Sequence, residues 1–542
     1  MNLNSSKLYL IAIFTGVFAG VMCIPFRWVV TSVSTIRPYL FRSNNTLISH
    51  LSVFLSIFLL LLFVAFLVKY FPKIGGSGLP QTQALLYGKV VYKNPIRYLF
   101  VKFLGGIIAL GSGLSLGREG TSVQMGSLTG YLTGKFFKVK PGRRRHLIAA
   151  GAGAGVAAAF TAPLSSSILI LESLQKFTLP QTIICTLLAG LAAGIMSKLL
   201  LPFNIYDAIK LSIPSNPEWE MILIFIIMAI YFSILGKFFS KFLLKSKDIY
   251  SKWSIRLDER SVSIENEKSW PLIMLFFIRN RSLFIQAFFL SSMTWIIGLF
   301  YPTIIGGDQT FLVHQANYNH TWNLLYLGAA IFVISLFTIV SNSSGYPGGI
   351  FLPMMTVGGL SGKFFYDLIM VIATLFNYEN IFSGINMSGY FILIGMSAFF
   401  IAVVRTPITG FILIAEMTGR YEVFFSTLVV GILVYYFTQL LRVKPMNDLL
   451  YDFMVKNSYD EPLSTTIYLE VESGSYLCDK KIDKVSLPDG CHIVTVIRDG
   501  EQLFGEKLYG MNNILMAEDQ IGIELRTSDI EKVYQSLVSL SV

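Results

Sequence analysis

Charge is what this sequence has least of. Asp, Glu, Lys and Arg make up only 14% of its 542 residues, against 54% hydrophobic residues and a mean hydropathy of +0.62. Apolar runs near the length that spans a bilayer core recur along the chain, which excludes an ordinary soluble domain and points to a polytopic membrane protein. Leu47 to Phe71 is the clearest run, interrupted before Lys69 only by small polar residues and His50. Cysteine is also scarce: Cys23, Cys185, Cys478 and Cys491 have no metal-type spacing and two lie in apolar runs, so neither disulfides nor a metal are suggested. A membrane-bound enzyme using Glu119 and Glu172 as acid and base lacks any accompanying nucleophile or metal constellation, and no cofactor is expected.

The charges that exist are unevenly placed. From Tyr459 onward 15 acidic residues outnumber 7 basic ones, whereas upstream 36 basic residues outnumber 17 acidic. Cations cluster at Lys135, Lys138, Lys140, Arg143, Arg144 and Arg145, and again between Lys241 and Arg260, which the positive-inside rule places on the cytoplasmic face together with both termini. Short loops between hydrophobic spans have sufficient reason to be basic, so no nucleic-acid partner is implied. Leu8 to Val30 is too long for a signal peptide and is read as a retained helix.

Glycine-rich breaks interrupt the apolar runs. Residues 1–72 read as two long helices around the polar link Arg42 to Asn45, followed by Gly75-Gly76-Ser77-Gly78-Leu79-Pro80, either a loop or a site where a hydroxyl meets an ion. Gly111 to Thr121 reads G-S-G-L-S-L-G-R-E-G-T and sets Arg118 beside Glu119 in the membrane part. A carboxylate at membrane depth costs roughly 3 kcal/mol on insertion scales, so Glu119 must face protein, water or an ion. A helix starting just after it would present unpaired N–H groups and a positive dipole end, an anion site. Gly- and Ala-rich segments at Thr121 to Phe137 and His146 to Ala159 suit close helix packing in lipid. Ile183 to Met196 is a further apolar segment, and Ile205 to Trp219 reads as an external or interfacial connection.

The second half repeats the grammar of the first. Ala162-Pro163-Leu164 precedes Glu172 as Thr406-Pro407-Ile408 precedes Glu416, at the same offset; Ser112-Gly113 precedes Gly117 as Ser344-Gly345 precedes Gly349. Matching offsets in matching order predict an internal repeat, with halves at about 7–210 and 218–450 and a substrate site where broken helices meet. Gly348-Gly349-Ile350-Phe351-Leu352-Pro353 is then the counterpart of the Glu119 stretch.

Gly76-Ser77-Gly78-Leu79-Pro80, Gly117-Arg118-Glu119-Gly120-Thr121 and Gly349-Ile350-Phe351-Leu352-Pro353, in this order, resemble the anion-site signatures of the CLC family of chloride channels and proton-coupled chloride antiporters. The resemblance covers about residues 7–450 and implies an α-helical, inverted-repeat membrane fold with tilted and broken helices. It also implies a homodimer in the plasma membrane with one glutamate-gated chloride pathway per subunit, exchanging chloride for protons. On it, Ser77 and the backbone at Gly349, Ile350 and Phe351 hold a halide, and Glu119 occupies an anion position when ionised and leaves when protonated. Desolvation and a nearby halide favour the neutral acid while helix N–H groups favour the carboxylate, a competition that suits proton exchange. Arg118 is a structural partner or an attractor for anions.

Departures from the pattern keep alternatives open. The gating motif ends in Thr121 rather than proline. Where the family places a tyrosine after Lys-Pro-x, Lys444-Pro445-Met446 leads to Asn447, whose amide can still donate, with Tyr451 one helical turn on. The Glu-Glu pair of antiporters reads Glu172-Ser173, leaving the proton route to Glu172, or to Ser173 with water, and leaving a passive voltage- or pH-gated channel as the alternative. A fluoride/proton antiporter ranks below chloride because Ser77 is kept.

From 459 to 542 the composition changes to a small acidic α+β domain. Thr465 to Val471, Cys491 to Ile497 and Gln520 to Leu525 read as strands, with turns at Ser473-Gly474, Pro488-Asp489-Gly490 and Asp499-Gly500. Glu470-Val471 through Gly474-Ser475, Leu487-Pro488, Ile493 to Arg498-Asp499-Gly500 and Gly510 to Asp519 are together similar to the TrkA-C (RCK-C) regulatory domain. The similarity implies a dimerisation module, or a sensor of a small nucleotide such as cyclic di-AMP; without a G-x-G-x-x-G motif, NAD is not implied.

Overall fold

The computed structural model describes residues 3–42, 47–174, 180–201, 219–267, 272–302, 324–376 and 387–458, with 305, 312–313 and 315 between them. Toward the C-terminus it describes 465–498 apart from 473 and 489, then 501–504, 514–525, 536–537 and 540–541. The connection expected from Ile205 lies outside these residues up to 218, as do the 43–45 link and the Asp499-Gly500 turn.

Two long apolar helices come first, α1 (Leu3–Arg42) and α2 (Leu47–Tyr70), as the sequence led one to expect. The remainder of the first half is α3 (Leu79–Leu86), α4 (Pro95–Gly111), α5 (Arg118–Phe136), α6 (Pro141–Phe160), α7 (Pro163–Ser173) and α8 (Pro180–Leu200). The second half comprises α9 (Trp219–Glu267), α10 (Leu272–Arg279), α11 (Arg281–Phe300), α12 (Leu324–Ser343), α13 (Phe351–Leu375), α14 (Ser388–Val404), α15 (Pro407–Thr418), α16 (Phe424–Leu440) and α17 (Met446–Ser458). Among the described residues eight helices are long and apolar enough to cross a bilayer. They display Leu51, Leu55 and Leu59 and similar side chains outward, while α14 is buried along its whole length, as an all-round apolar helix must be.

The repeat is visible in the backbone itself. Each half breaks a helix at a left-handed residue two positions before a proline, Thr161 at φ 57° and Arg405 at φ 64°. Each then passes through a similar N-cap, Ala162 (φ −128°, ψ 79°) or Thr406 (φ −116°, ψ 85°), into a short helix started by Pro163 or Pro407. Neither short helix has a capping side chain at its own N-cap. The other half supplies one. Glu172, near the end of α7, accepts from the Ile408 and Thr409 N–H groups at 3.2 and 2.9 Å and from the Thr409 hydroxyl at 2.6 Å. Glu416, near the end of α15, accepts from Leu164 and Ser165 N–H at 3.1 and 2.8 Å and from the Ser165 hydroxyl at 2.7 Å. Each carboxylate meets the positive end of the opposite helix, which accounts for both intramembrane glutamates without assigning either to chemistry.

Close packing concentrates at α5 and α6. A Cβ on Gly126 would strike the Gly151 carbonyl, and one on Gly151 the Gly126 carbonyl, so only glycine permits this approach. Beyond α17 lies a four-stranded antiparallel sheet, β1 (Thr465–Glu470), β2 (Cys491–Arg498), β3 (Glu501–Phe504) and β4 (Gln520–Leu525), in the order β1-β4-β2-β3. Its core is Ile467, Leu469, Ile493, Val496, Ile521 and Ile523. The short edge strand β3 was not expected; with Glu501 and Gln502 among four residues it carries too little alternation to be read, and it is fixed by pairing with β2.

Since the two glutamate caps are equivalent, Glu172→Ala and Glu416→Ala should each destabilise the protein by about 2 kcal/mol by leaving helix-end donors unpaired. Thermal unfolding in detergent measures this, and a large loss in one variant with none in the other would contradict the symmetry.

Candidate functional site

Three helices begin at one place. The N-cap of α3 is Gly78, that of α5 is Gly117 and that of α13 is Ile350, and none makes a side-chain cap. Their first-turn N–H groups are therefore available to an anion, and the three positive dipole ends add. Backbone bonds pin the ends together. Gly117 and Gly349 exchange both bonds of an antiparallel bridge, at 2.7 and 2.6 Å, while Gly76 donates to Gly345 at 3.0 Å and accepts from Gly348 at 3.3 Å. Gly78 sits at φ 85°, where a side chain would also strike the Gly120 carbonyl, so this turn demands glycine twice over.

Glu119 lies fully buried on that bridge. Its Oε1 accepts the Phe351 N–H at 2.7 Å, and a Cβ on either Gly117 or Gly349 would overlap its carboxylate. The expectation that the helix begins just after Glu119 needs correcting. Its first residue is Arg118, so Glu119 belongs to the first turn of α5, and the donor holding its Oε1 comes from the other half of the chain, at the start of α13. Arg118 turns toward α1 and donates from Nη1 to the Thr31 hydroxyl at 3.1 Å.

Ser77 and Asn447 share an unusual property. Both are buried, and among the described residues the Ser77 hydroxyl and both amide atoms of Asn447 have no hydrogen-bond partner. Such atoms are open to a further partner, a property they share with the amides of Gln83 and Asn342. Ser77 precedes the N-cap of α3, and Asn447 is the second residue of α17, which packs on α3. The backbone of Gly349, Ile350 and Phe351 completes the expected set, with Ile350 and Phe351 buried. Tyr451 faces elsewhere: its ring meets Tyr87 edge-on at 6.0 Å and lies under Lys89 at 5.2 Å.

On the proton side, Glu172 is held by the cap to α15 described above. The Ser173 hydroxyl donates back to the Leu169 carbonyl, and the neighbouring Leu174 carbonyl accepts from Tyr87 at 3.4 Å. Glu119 and Phe351 thus meet directly, Ser77 and Asn447 belong to the helices beside them, and Glu172 is tied to the other broken helix.

Two supporting residues escaped the sequence reading. Lys102, fully buried on α4, donates from Nζ to the carbonyls of Ile74 and Gly76 at 2.7 and 3.0 Å. Gln124 on α5 donates from Nε2 to the Lys73 carbonyl at 2.7 Å and the Tyr92 hydroxyl at 3.0 Å. Between them they fix the loop that delivers Ser77. The signal for Lys102 was present, a single cation inside the apolar run from Tyr98 to Leu110. Lys102→Met should cost about 1–3 kcal/mol of stability by stranding two carbonyls, and should weaken halide binding in calorimetry; unaltered stability and binding would remove Lys102 from the site.

Comparison with known proteins agrees with this geometry. A family profile described as voltage-gated chloride channel matches residues 58–439. The H(+)/Cl(−) exchange transporter ClcA of Vibrio cholerae serotype O1 is 30% identical over 463 residues, covering 82% of this chain and 89% of the relative. Among solved structures, a slow cyanobacterial Cl−/H+ antiporter superposes with a TM-score of 0.70 at 26% identity, covering 83% of this chain and 99% of that one. A eukaryotic CLC transporter superposes with a TM-score of 0.62 at 19% identity, covering 89% of this chain and 80% of that one, a likeness of fold. With a profile spanning well over half its length and a site built at the meeting of two repeats, the chain belongs to the CLC family, the voltage-gated chloride channel family.

Proposed function

We propose that this protein exchanges chloride for protons across a membrane, with Glu119 as the group that both blocks the anion pathway and carries the proton. The observation that carries the reading is the bond from the Phe351 N–H to the Glu119 carboxylate, which makes the side chain itself the anion at a cluster of uncapped helix ends. A halide competes for the same donors. Protonation removes the charge that holds the side chain there and opens the place to chloride. Ser77 and Asn447 supply further donors, the Gly349 to Phe351 backbone supplies the N–H groups, and Arg118 orients α5 against α1. The transport activities printed for the Vibrio and cyanobacterial relatives support the same exchange.

The specific observation favouring a channel instead is Ser173, whose hydroxyl is engaged with its own helix and which offers no acid for an inner proton relay. Glu172, the adjacent acid, is occupied as a cap. Fluoride as the exchanged anion is the third reading, kept below chloride by Ser77.

A homodimer in the plasma membrane, with both termini cytoplasmic, completes the proposal. Glu172 and Glu416 are only half-buried, beside exposed Leu164 and Ile408. A carboxylate partly open to lipid is costly, and a second copy of the chain laid over this face removes that exposure. The divisions 1–458 and 459–542 are proposed as transport domain and TrkA-C-like regulatory domain, the latter serving dimerisation or binding a small nucleotide such as cyclic di-AMP.

Purified protein in liposomes, with a pH electrode outside, tests the central point. A chloride gradient should drive protons uphill through the wild type, and Glu119→Gln should abolish proton movement while chloride still flows. Chloride flux without coupled protons in the wild type would establish the channel reading, and fluoride flux far exceeding chloride the third. Native mass measurement in detergent should give twice the mass of one chain; a monomer would remove the dimer.

A further inference from the structure

The acidic sheet is not a free appendage. It touches the transport domain at the start of α6, and the contact is specific. The N-cap of α6 is Lys140, which makes no side-chain cap. The missing acceptor comes from the sheet: Gly142 donates its N–H to Gln520 Oε1 at 3.3 Å. Next to it the Arg143 guanidinium grips Glu470 with two bonds, Nε to Oε2 at 2.6 Å and Nη2 to Oε1, both side chains being 15% exposed. Lys140 Nζ reaches the Glu518 carbonyl at 3.5 Å. Glu470 and Gln520 are directly paired residues at the ends of β1 and β4, so one edge of the sheet presents a carboxylate and an amide together. Asp519 stiffens that edge, accepting two bonds from Arg498 on β2 at 2.8 and 2.6 Å and one from the Met516 N–H at 2.7 Å. A forked Arg–carboxylate pair and a negative group at a helix N-terminus are both favourable, and here they coincide.

From this contact a rigid path leads to Glu119. α6 lies against α5 with backbone touching backbone: besides the Gly126–Gly151 approach, a Cβ on Gly155 would strike the Ser122 carbonyl and one on Gly130 the Leu147 carbonyl. Ser122 is one turn from Glu119 on α5 and is bonded to the Arg118 carbonyl at 3.0 Å. A seam with no side chains between its backbones has no soft layer to absorb movement, so displacement of α6 is passed to the first turn of α5.

We propose that the C-terminal sheet is a detachable cap on α6 which, while docked, holds Glu119 in its inward position on Phe351, and that undocking speeds transport. The proposal rests on the exchange reading above and names a control of that same site. Any ligand or charge change that competes for Glu470 or reshapes the β1–β4 edge acts through it.

Chloride flux in proteoliposomes and amide hydrogen exchange at residues 142–146 test this in the full-length wild type, Arg143→Glu, Glu470→Arg and the double charge reversal. Each single variant should expose the start of α6 to faster exchange and raise flux by roughly fivefold, and the double variant should return both readings to wild type. Glu470→Gln, milder in its effect on folding, should show the same changes at smaller size. Faster exchange with flux unchanged would show a contact that controls nothing, faster exchange with flux lowered a contact that favours transport, and unaltered exchange in the single variants would show that this contact is not the cap; each overturns the proposal. Chloride flux without coupled protons in the wild type would refute exchange alone, since amide exchange and chloride flux still report on the cap.

Discussion

The two hydrogen bonds between Gly117 and Gly349 are the constraint on which the site depends. They join the halves of the chain backbone to backbone, at the point where α5 and α13 begin, and they leave no room for side chains there except the Glu119 carboxylate laid across them. The magnitudes of the opposing terms on that side chain can be compared. Placing a carboxylate in the membrane costs roughly 3 kcal/mol, while a charge-assisted bond from a backbone N–H returns about 1.5–3 kcal/mol. Terms of nearly equal size leave a small balance, the property on which the proposed displacement by a proton or a halide rests.

A second set of bonds keeps this balance from being spoiled by a moving loop. Lys102 and Gln124 reach the 73–76 backbone from different helices, and Gly76 is stitched to Gly345 and Gly348 across the repeat. The loop bearing Ser77 is thereby held from the first half and from the second. Rigid support of this kind fixes the backbone around Glu119, as the proposed movement of its side chain alone requires.

Much of this was legible in the sequence. The glycine breaks, the proline starts and the matched offsets to Glu172 and Glu416 have local causes, and the structure repeats them down to the dihedral angles at Thr161 and Arg405. The three glycine stretches where helices α3, α5 and α13 begin were legible for the same reason, since glycine is required wherever backbones touch. What was not legible depended on contacts between distant segments. Nothing near Glu119 says that it takes a bond from Phe351 in the other half of the chain, and nothing near Glu172 says that it serves α15. β3 becomes a strand only through its pairing with β2. Lys102 stood in plain view as a lone cation in an apolar run, and needed only to be asked what it was bonded to.

The exchanged caps also bear on how the chain is made. Glu172 leaves the ribosome more than two hundred residues before the N–H groups of Ile408 and Thr409 that it accepts from, and α7 waits equally long for Glu416. Until then the first half holds a carboxylate and an open helix end in or near the bilayer, neither satisfied. A half synthesised alone therefore lacks the groups that close its own broken helix. The same dependence resists the separation of the two halves in evolution: once each closes the other's broken helix, a duplicate that drifts apart must change both glutamates and both helix starts together.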